Sequence, residues 1–402
     1  MTQKNPTDTA LHQALIAVFV VFGLNGLVFA SWAARIPAAA QDLGIGAAGV
    51  GLLLLFSAVG SVLALPLAGS VAQRIGTAGT VRAGGVTTAV AALAIAAGLH
   101  FGSIPLAGAG LFVFGIGIAG WDVAMNLEGA DVERRLGRTI MPKFHGAFSA
   151  GSFTGALIGA ALSFAGVSLS LHLLAILAVV CVVVLIVPRS FLQLPHPAHA
   201  PAADGAPAKV SRFGAWREGR TLLIGVVVLG AALTEGAAND WVAKATVDGL
   251  GTSEAAGAVM FAVFVAAMTI TRWFGASLID RMGRVPALRW CMSASLAGLL
   301  IFVLAPNIVL AAIGAVLWGI GAALGFPMGM SAAGEDPVHA AGRVSVVSTI
   351  GYMAFFVGPP VLGFLGEHWG VRNALLVVGA AMLVSIVFAP AAAERKPVSE
   401  TP

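Results

Sequence analysis

Long apolar runs, punctuated by glycine, proline or charge, occupy most of the chain. They fall near residues 13–34, 47–72, 82–100, 104–127, 143–165 and 167–188, and again near 220–243, 254–279, 286–305, 308–332, 344–365 and 371–391. A helix needs about 20 mostly apolar residues to cross a bilayer. The pattern therefore predicts an all-α membrane protein of twelve spanning helices. The first run is shaped like a signal peptide's apolar core, with Ala33, Arg35 and Pro37 behind it. About 20 apolar residues is long for that role, and the run is read as a helix. Between the sixth and seventh runs, His196 to Lys209 is rich in Pro and Ala with no apolar period, the mark of a solvated linker. The expected division is a six-helix bundle over 1–188, a cytoplasmic linker over 189–219, and a second six-helix bundle with a short cytoplasmic tail over 220–402.

Composition narrows the class. Of 402 residues, 58% are hydrophobic and 10% charged, with a mean hydropathy of +0.95. Soluble domains carry roughly a quarter charged residues, so a soluble enzyme, a disordered chain and a disulfide scaffold are excluded. Lys and Arg number 22 against 18 Asp and Glu, a net charge of +4. Counted loop by loop, 18 of the basic residues lie on the face that carries the N-terminus, and Arg35, Lys244 and Arg372 lie on the other. Basic residues are retained on the cytoplasmic side, so both termini are expected there, and the positive charge implies no nucleic-acid partner. Cys181 and Cys291 read as small core residues, without a disulfide or a metal site.

The halves are alike. Gly69 to Gly76 follows the second run as Ala276 to Gly283 follows the eighth, at an offset of 207. Trp32 and Arg35 close the first run as Trp241 and Lys244 close the seventh. Gly137 and Arg138 precede the fifth as Gly342 and Arg343 precede the eleventh. A six-helix unit used twice in one orientation is the plan of parallel-repeat transporters, which bind solute between the halves near the midplane.

The loop after the second run keeps Gly69, Arg74 and Gly76 of the pattern Gly-x-x-x-Asp-Arg-x-Gly-Arg, with Gln73 in place of the acid. The loop after the eighth carries Asp280, Arg281, Gly283 and Arg284. This resembles the signature of the major facilitator superfamily, and with the twelve runs and the central linker the resemblance spans nearly the whole chain. Asn126, Phe144-His145, Ser149 and Gly151 are similar to the fucose-permease-like branch, and Arg35, Pro37, Glu235-Gly236 and Asp240-Trp241 to that branch's uncharacterised inner-membrane members. The resemblance implies a monomeric, multi-pass transporter of a bacterial inner (cytoplasmic) membrane that moves a small solute by alternating access. It also implies that a first-half loop acid pairs with basic groups to latch the outward-facing state, and here Gln73 replaces that acid.

An ionisable side chain inside a span is costly unless it faces a wet cavity or a partner, which makes it a functional candidate. Glu235 lies about 22 Å along the seventh helix and is the first choice for a proton-coupling acid. Asp240, further out, either joins it or pairs at the interface with Lys244 or Arg35. Asp122 in the fourth helix either braces the loop through Arg134, Arg135 or Arg138, or is a cavity acid alternating with Glu235. Arg272 must find an anion: a substrate carboxylate, Asp122, Glu335 or Asp336. His145 titrates near physiological pH and is either a coupling group or an interfacial residue. Asn25, Trp32, Arg35, Asn126, Asn239, Trp241, Arg272, Trp318, Phe326 and Tyr352 are candidates to bind solute, with core packing the alternative for each. Gly146, Gly151, Gly155 and Gly159 form a small-residue stripe for close helix packing, and Gly358-Pro359-Pro360 is expected to kink the eleventh helix.

No HExxH, CxxC, GxSxG or phosphate-binding loop occurs, so an enzyme is not expected, nor a cofactor or metal. Uphill transport must then draw on an ion gradient. A proton-coupled sugar or organic-acid symporter is the leading expectation. A proton-driven efflux antiporter is the alternative, and a non-transporting membrane sensor or scaffold the reading from another class.

Overall fold

The computed structural model describes residues 6–138, 140–192, 214–336 and 339–394. The expected linker segment His196 to Lys209 lies outside them. The described chain is helical, with no strand among the described residues. The first half comprises α1 (Pro6–Ala33), α2 (Ile36–Leu43), α3 (Ala47–His100), α4 (Ile104–Leu136), α5 (Met141–Phe164) and α6 (Leu169–Ile186). The second comprises α7 (Gly219–Leu250), α8 (Glu254–Met282), α9 (Arg284–Leu304), α10 (Ile308–Ala322), α11 (Gly325–Ala333), α12 (Ala340–Trp369), α13 (Val371–Ala374) and α14 (Leu376–Phe388).

Eleven stretches of described helix are long and apolar enough to cross a membrane. The count reconciles with twelve spans at α3. Its 54 residues reach about 81 Å at 1.5 Å per residue, more than twice the hydrocarbon thickness. Its backbone leaves helical geometry at Gly76, with φ 77° and ψ 163°, so α3 is two spans joined at a kink. Gly283, between α8 and α9, has φ 78° and ψ 161°. This conformation is open only to glycine, and its recurrence at an offset of 207 carries the sequence repeat into the backbone.

One expectation about helix continuity changes: the tenth run is broken at Ala323-Leu324 into α10 and α11. At Pro359 and Pro360 α12 remains one helix from Ala340 to Trp369. Prolines need not end a helix that neighbouring helices hold in place.

Within the first half α1 packs on α5, and α3 on α4 and α6; within the second, α7 packs on α12 and α14, and α9 on α10. Between halves the main contacts are α5 with α8 and α3 with α12. The small-residue stripe on α5 acts as expected, since a Cβ on Gly151 would lie 1.9 Å from the carbonyl oxygen of Gly23.

The two ends of the bundle differ. At the end holding the Arg-rich loops, polar contacts stay within each half. Thr77 Oγ1 donates to Glu128 Oε2 at 2.6 Å, and Arg284 Nη1 donates to Glu335 Oε1 at 3.5 Å. These pairs are also 207 positions apart, the same clamp built with a hydroxyl in one half and a guanidinium in the other. Arg343 joins Glu218 at 2.6 Å and Asp336 at 2.9 Å. Its hydrogen bond holds the Glu218 carboxyl below the usual carboxylate range.

At the far end the halves are bonded to each other. Glu254 Oε2 of α8 lies 3.5 Å from Arg35 Nη2 and accepts from Ser163 Oγ at 3.3 Å. Glu367 Oε2 of α12 accepts from the Ala48 backbone N–H at 3.1 Å, so a carboxylate of one half caps the N-terminus of α3 in the other. Beside it a Cβ on Gly51 would lie 2.6 Å from the Pro359 carbonyl oxygen. Every hydrogen bond or ion pair between the halves among the described residues is at this end, so the bundle is closed here.

Candidate functional site

Short of the closed end, polar side chains of five helices, two from the first half and three from the second, form the candidate site. Glu235 and Arg272 face each other from α7 and α8, with Arg272 Nη2 donating to Glu235 Oε2 at 2.8 Å. The guanidinium also donates through Nε to the Ala323 carbonyl at 3.1 Å. Ala323 stands at the break between α10 and α11, where the interrupted helix frees an acceptor. Arginine's planar fork suits this double duty, holding a carboxylate and a carbonyl at once. Both partners keep about a fifth of their side-chain surface, so the pair is not sealed in a core.

The first half faces the pair. His145 on α5 is exposed, packs edge-on to Phe22 with ring centroids 5.3 Å apart, and is within electrostatic reach of both Arg272 and Glu235. Asp122 on α4 receives Asn126 Nδ2 at 3.3 Å on its carboxylate and 2.9 Å on its carbonyl. Tyr352 on α12 is 42% exposed and within electrostatic reach of Asp122 across the interface. Phe326 is half-buried on α11, and Asn239 half-buried on α7.

Several expected partnerships are corrected. Arg272 takes Glu235, not Asp122, Glu335 or Asp336; the last two are held by Arg220, Arg284 and Arg343. Asp122 does not brace the loop arginines, because Arg134 and Arg135 bond Asp131 one turn away on their own helix. Asp240 pairs with neither Lys244, which takes Asp248 at 2.9 Å, nor Arg35, which takes Glu254. In each case a nearer or better-aligned acid wins the cation.

Other candidates lie outside this cavity. Asn25, Trp32, Trp241 and Trp318 are at most 5% exposed and belong to the packed core. Trp318 stacks edge-on between Phe264 and Phe302. Arg35 is buried in the far-end closure and donates to the Val167 carbonyl at 3.0 Å. It borders a cleft of about 420 Å³ with Asp42, Ser163 and Glu254. Burial there pushes the Asp42 carboxyl up, opposed by the Arg35 charge. Of the loop motif, Gln73, Arg74, Asp280 and Arg281 are exposed and Gly69 half-buried, while Arg284 clamps Glu335.

Residues absent from the sequence reading include Trp273, Glu254, Glu367, Thr77 and Glu128. Trp273 is 60% exposed beside Arg272. Glu254 and Glu367 sit at helix ends, where an acid has no hydropathy signature. Thr77 and Glu128 could have been found by applying the 207 offset to Arg284 and Glu335.

The Major Facilitator Superfamily profile matches residues 14–345 and 241–402. The chain belongs to that superfamily of membrane transporters, and its relatives are transporters and not enzymes. It is 30% identical over 372 residues to an uncharacterised transporter, y4wD, of Sinorhizobium fredii, covering 92% of this chain and 95% of that one. It is 29% identical to an uncharacterised transporter of the same superfamily from Yersinia pestis, over 90% and 93% of the two chains. Among solved structures, a nucleoside transporter, NupG, aligns with a TM-score of 0.78 at 14% identity over 94% of this chain and 99% of that one. The Escherichia coli fucose:proton symporter FucP aligns with a TM-score of 0.62 at 15% identity over 94% and 98%. A bacterial Spinster homologue, in an inward-facing and occupied conformation, aligns with a TM-score of 0.71 at 15% identity over 97% of each chain.

Proposed function

We propose that the protein is a proton-coupled secondary transporter of a small hydroxylated or acidic solute in a bacterial inner membrane. The observation that carries this reading is the Glu235–Arg272 ion pair at 2.8 Å, partly exposed and within electrostatic reach of His145 from the other half. With Glu235 ionised, the guanidinium is engaged. A proton on Glu235 removes its partner's charge, and Arg272 must then find another acceptor, which a solute hydroxyl or carboxylate supplies. Proton and solute thereby favour each other's binding, the requirement for symport. Asn126, Tyr352, Asn239 and Phe326 complete the lining on this reading. The fucose and nucleoside transporters of the same fold, whose solutes are rich in hydroxyls, support it.

The excess of Lys and Arg on the terminal face supports a cytoplasmic location for both termini. The closed far end is then periplasmic, and the conformation is inward-facing. Residues 1–188 and 220–402 act as two rocking units of a monomer, with 189–219 as the linker. Reconstituted into proteoliposomes with an inward proton gradient, the wild-type chain is expected to accumulate solute, and E235Q to lose accumulation while retaining solute exchange without a gradient. Undiminished accumulation by E235Q would remove Glu235 from the coupling role.

A further inference from the structure

Asp240 is untouched by this site. It lies on α7 about one and a half turns beyond Glu235, half-buried, and no hydrogen bond or ion pair reaches its carboxylate among the described residues. The charged groups of its surroundings are held elsewhere. On its own helix Glu235 takes Arg272 and Lys244 takes Asp248. On α8, Glu254 takes Arg35; on α12, Glu367 takes the Ala48 amide, His368 faces the Phe364 carbonyl and Tyr352 stands towards Asp122. Arg372 on α13 donates to three carbonyls, Asp42 on α2 lies in the far-end cleft, and His12 on α1 and Arg217 belong to the terminal end. Helices α10, α11 and α14 bring no charge.

What borders Asp240 across the helix interface is α12. It shares a narrow cavity with Gly236, Phe355, Gly358 and Pro359, in which no water-sized sphere fits, so neither solute nor hydrated ion can enter. In a helix the Phe355 carbonyl would accept from the N–H of residue 359, but that residue is proline and has none. Phe355 and Pro359 both line the cavity beside Asp240, and the Phe355 ring packs over Gly236, 3.0 Å from where a Cβ would stand. A carboxylate beside a carbonyl puts two acceptors together in a dry space. A carboxylic acid can donate where the proline cannot.

We propose that Asp240 is a proton site of its own, separate from solute binding, whose proton is donated to the Phe355 carbonyl and sealed in when α3 closes on α12. The step is a reversible protonation, one proton taken from water on the far side while that side is open and returned there or passed on when the contact parts. The seal is the approach of Gly51 to the Pro359 carbonyl and to Gly363, at the same proline pair. Protonation of Asp240 and closure of the far end are therefore two readings of one segment of α12.

Infrared difference spectra of the full chain in lipid, between alkaline and mildly acid buffer, test this without any solute. The wild type is expected to gain a protonated-carboxyl band that D240N removes and E235Q leaves, which separates this site from the Glu235 reading. P359A, which gives the Phe355 carbonyl an amide donor, is expected to move the band to higher wavenumber, and P360A, which restores only the Phe356 carbonyl, to leave it in place. In deuterated buffer the band should exchange slowly in the wild type and quickly in G51L, a readout that stands even if P359A fails to fold. A wild type without the band, its survival in D240N, equal positions in folded P359A and P360A, or equal exchange in wild type and G51L would each overturn the proposal.

Discussion

Arg272 is held by a carboxylate from α7 and by the carbonyl at the α10–α11 break, and the proposed function turns on it. Lysine would keep the charge but could not span both acceptors with a planar fork. R272K is therefore expected to fold with a melting temperature close to wild type and to lose affinity for solute by about tenfold, or about 1.4 kcal/mol, read by ligand-dependent thermal shift. R272A leaves Glu235 without its cation and should lower the melting temperature as well. Both residues were legible in the sequence, since a lone arginine and a glutamate deep in apolar runs stand out. Their pairing was not, because 37 residues and a helix reversal separate them. Trp318, a candidate by its depth in the tenth run, and Trp241, a candidate by resemblance, both took the alternative of core packing, because neither criterion says which face of a helix is turned inward.

At the scale of the element, glycine decides how closely helices approach. Gly51 on α3 leaves room for the Pro359 carbonyl and for Gly363 of α12, and any larger side chain must push the two halves apart at the far end. Overpacking of this kind costs about 1–3 kcal/mol, and here it falls on the closed state alone. G51L is expected to shift the population towards a far-end-open state, seen as faster labelling of a cysteine placed at Ala48 in a background without Cys181 and Cys291. Unchanged labelling would show that the α3–α12 contact does not hold the gate. The small-residue pattern was visible on α5 in the sequence, whereas Gly51 and Gly363 became significant only when α3 and α12 met.

Across the whole molecule, the two ends are held by different bonds. Far-end closure depends on Glu254 and Glu367 of the second half gripping donors of the first. Each contact is partly exposed, so removing both charges in E254Q/E367Q should shift the open-to-closed ratio by about fivefold, or about 1 kcal/mol, measurable by double electron–electron resonance between far-end spin labels. At the terminal end the Glu218–Arg343 contact ties the start of α7 to α12. The Glu218 carboxyl sits below its ordinary range in the folded protein, so its stabilisation is present at neutral pH and is lost as pH falls through the folded value. E218Q is expected to lower the melting temperature slightly at neutral pH, by about 0.5 kcal/mol after solvent screening, and to converge with the wild type in acid. A constant difference across pH would assign the effect to shape instead of charge.

Hydropathy and glycine punctuation are local properties, and they were enough to predict twelve spans and the duplication at an offset of 207, while the loop motif carried the resemblance to the superfamily. The bilayer imposes a span length that any chain must satisfy residue by residue, and a left-handed glycine such as Gly76 or Gly283 carries its backbone conformation within its own peptide. Tertiary structure alone decided which acid each cation holds, that the tenth run is two helices, and which end is closed. Those outcomes depend on distances between residues tens or hundreds of positions apart. Packing left Asp240 without an ionic partner among the described residues and set it against the proline-containing stretch of α12.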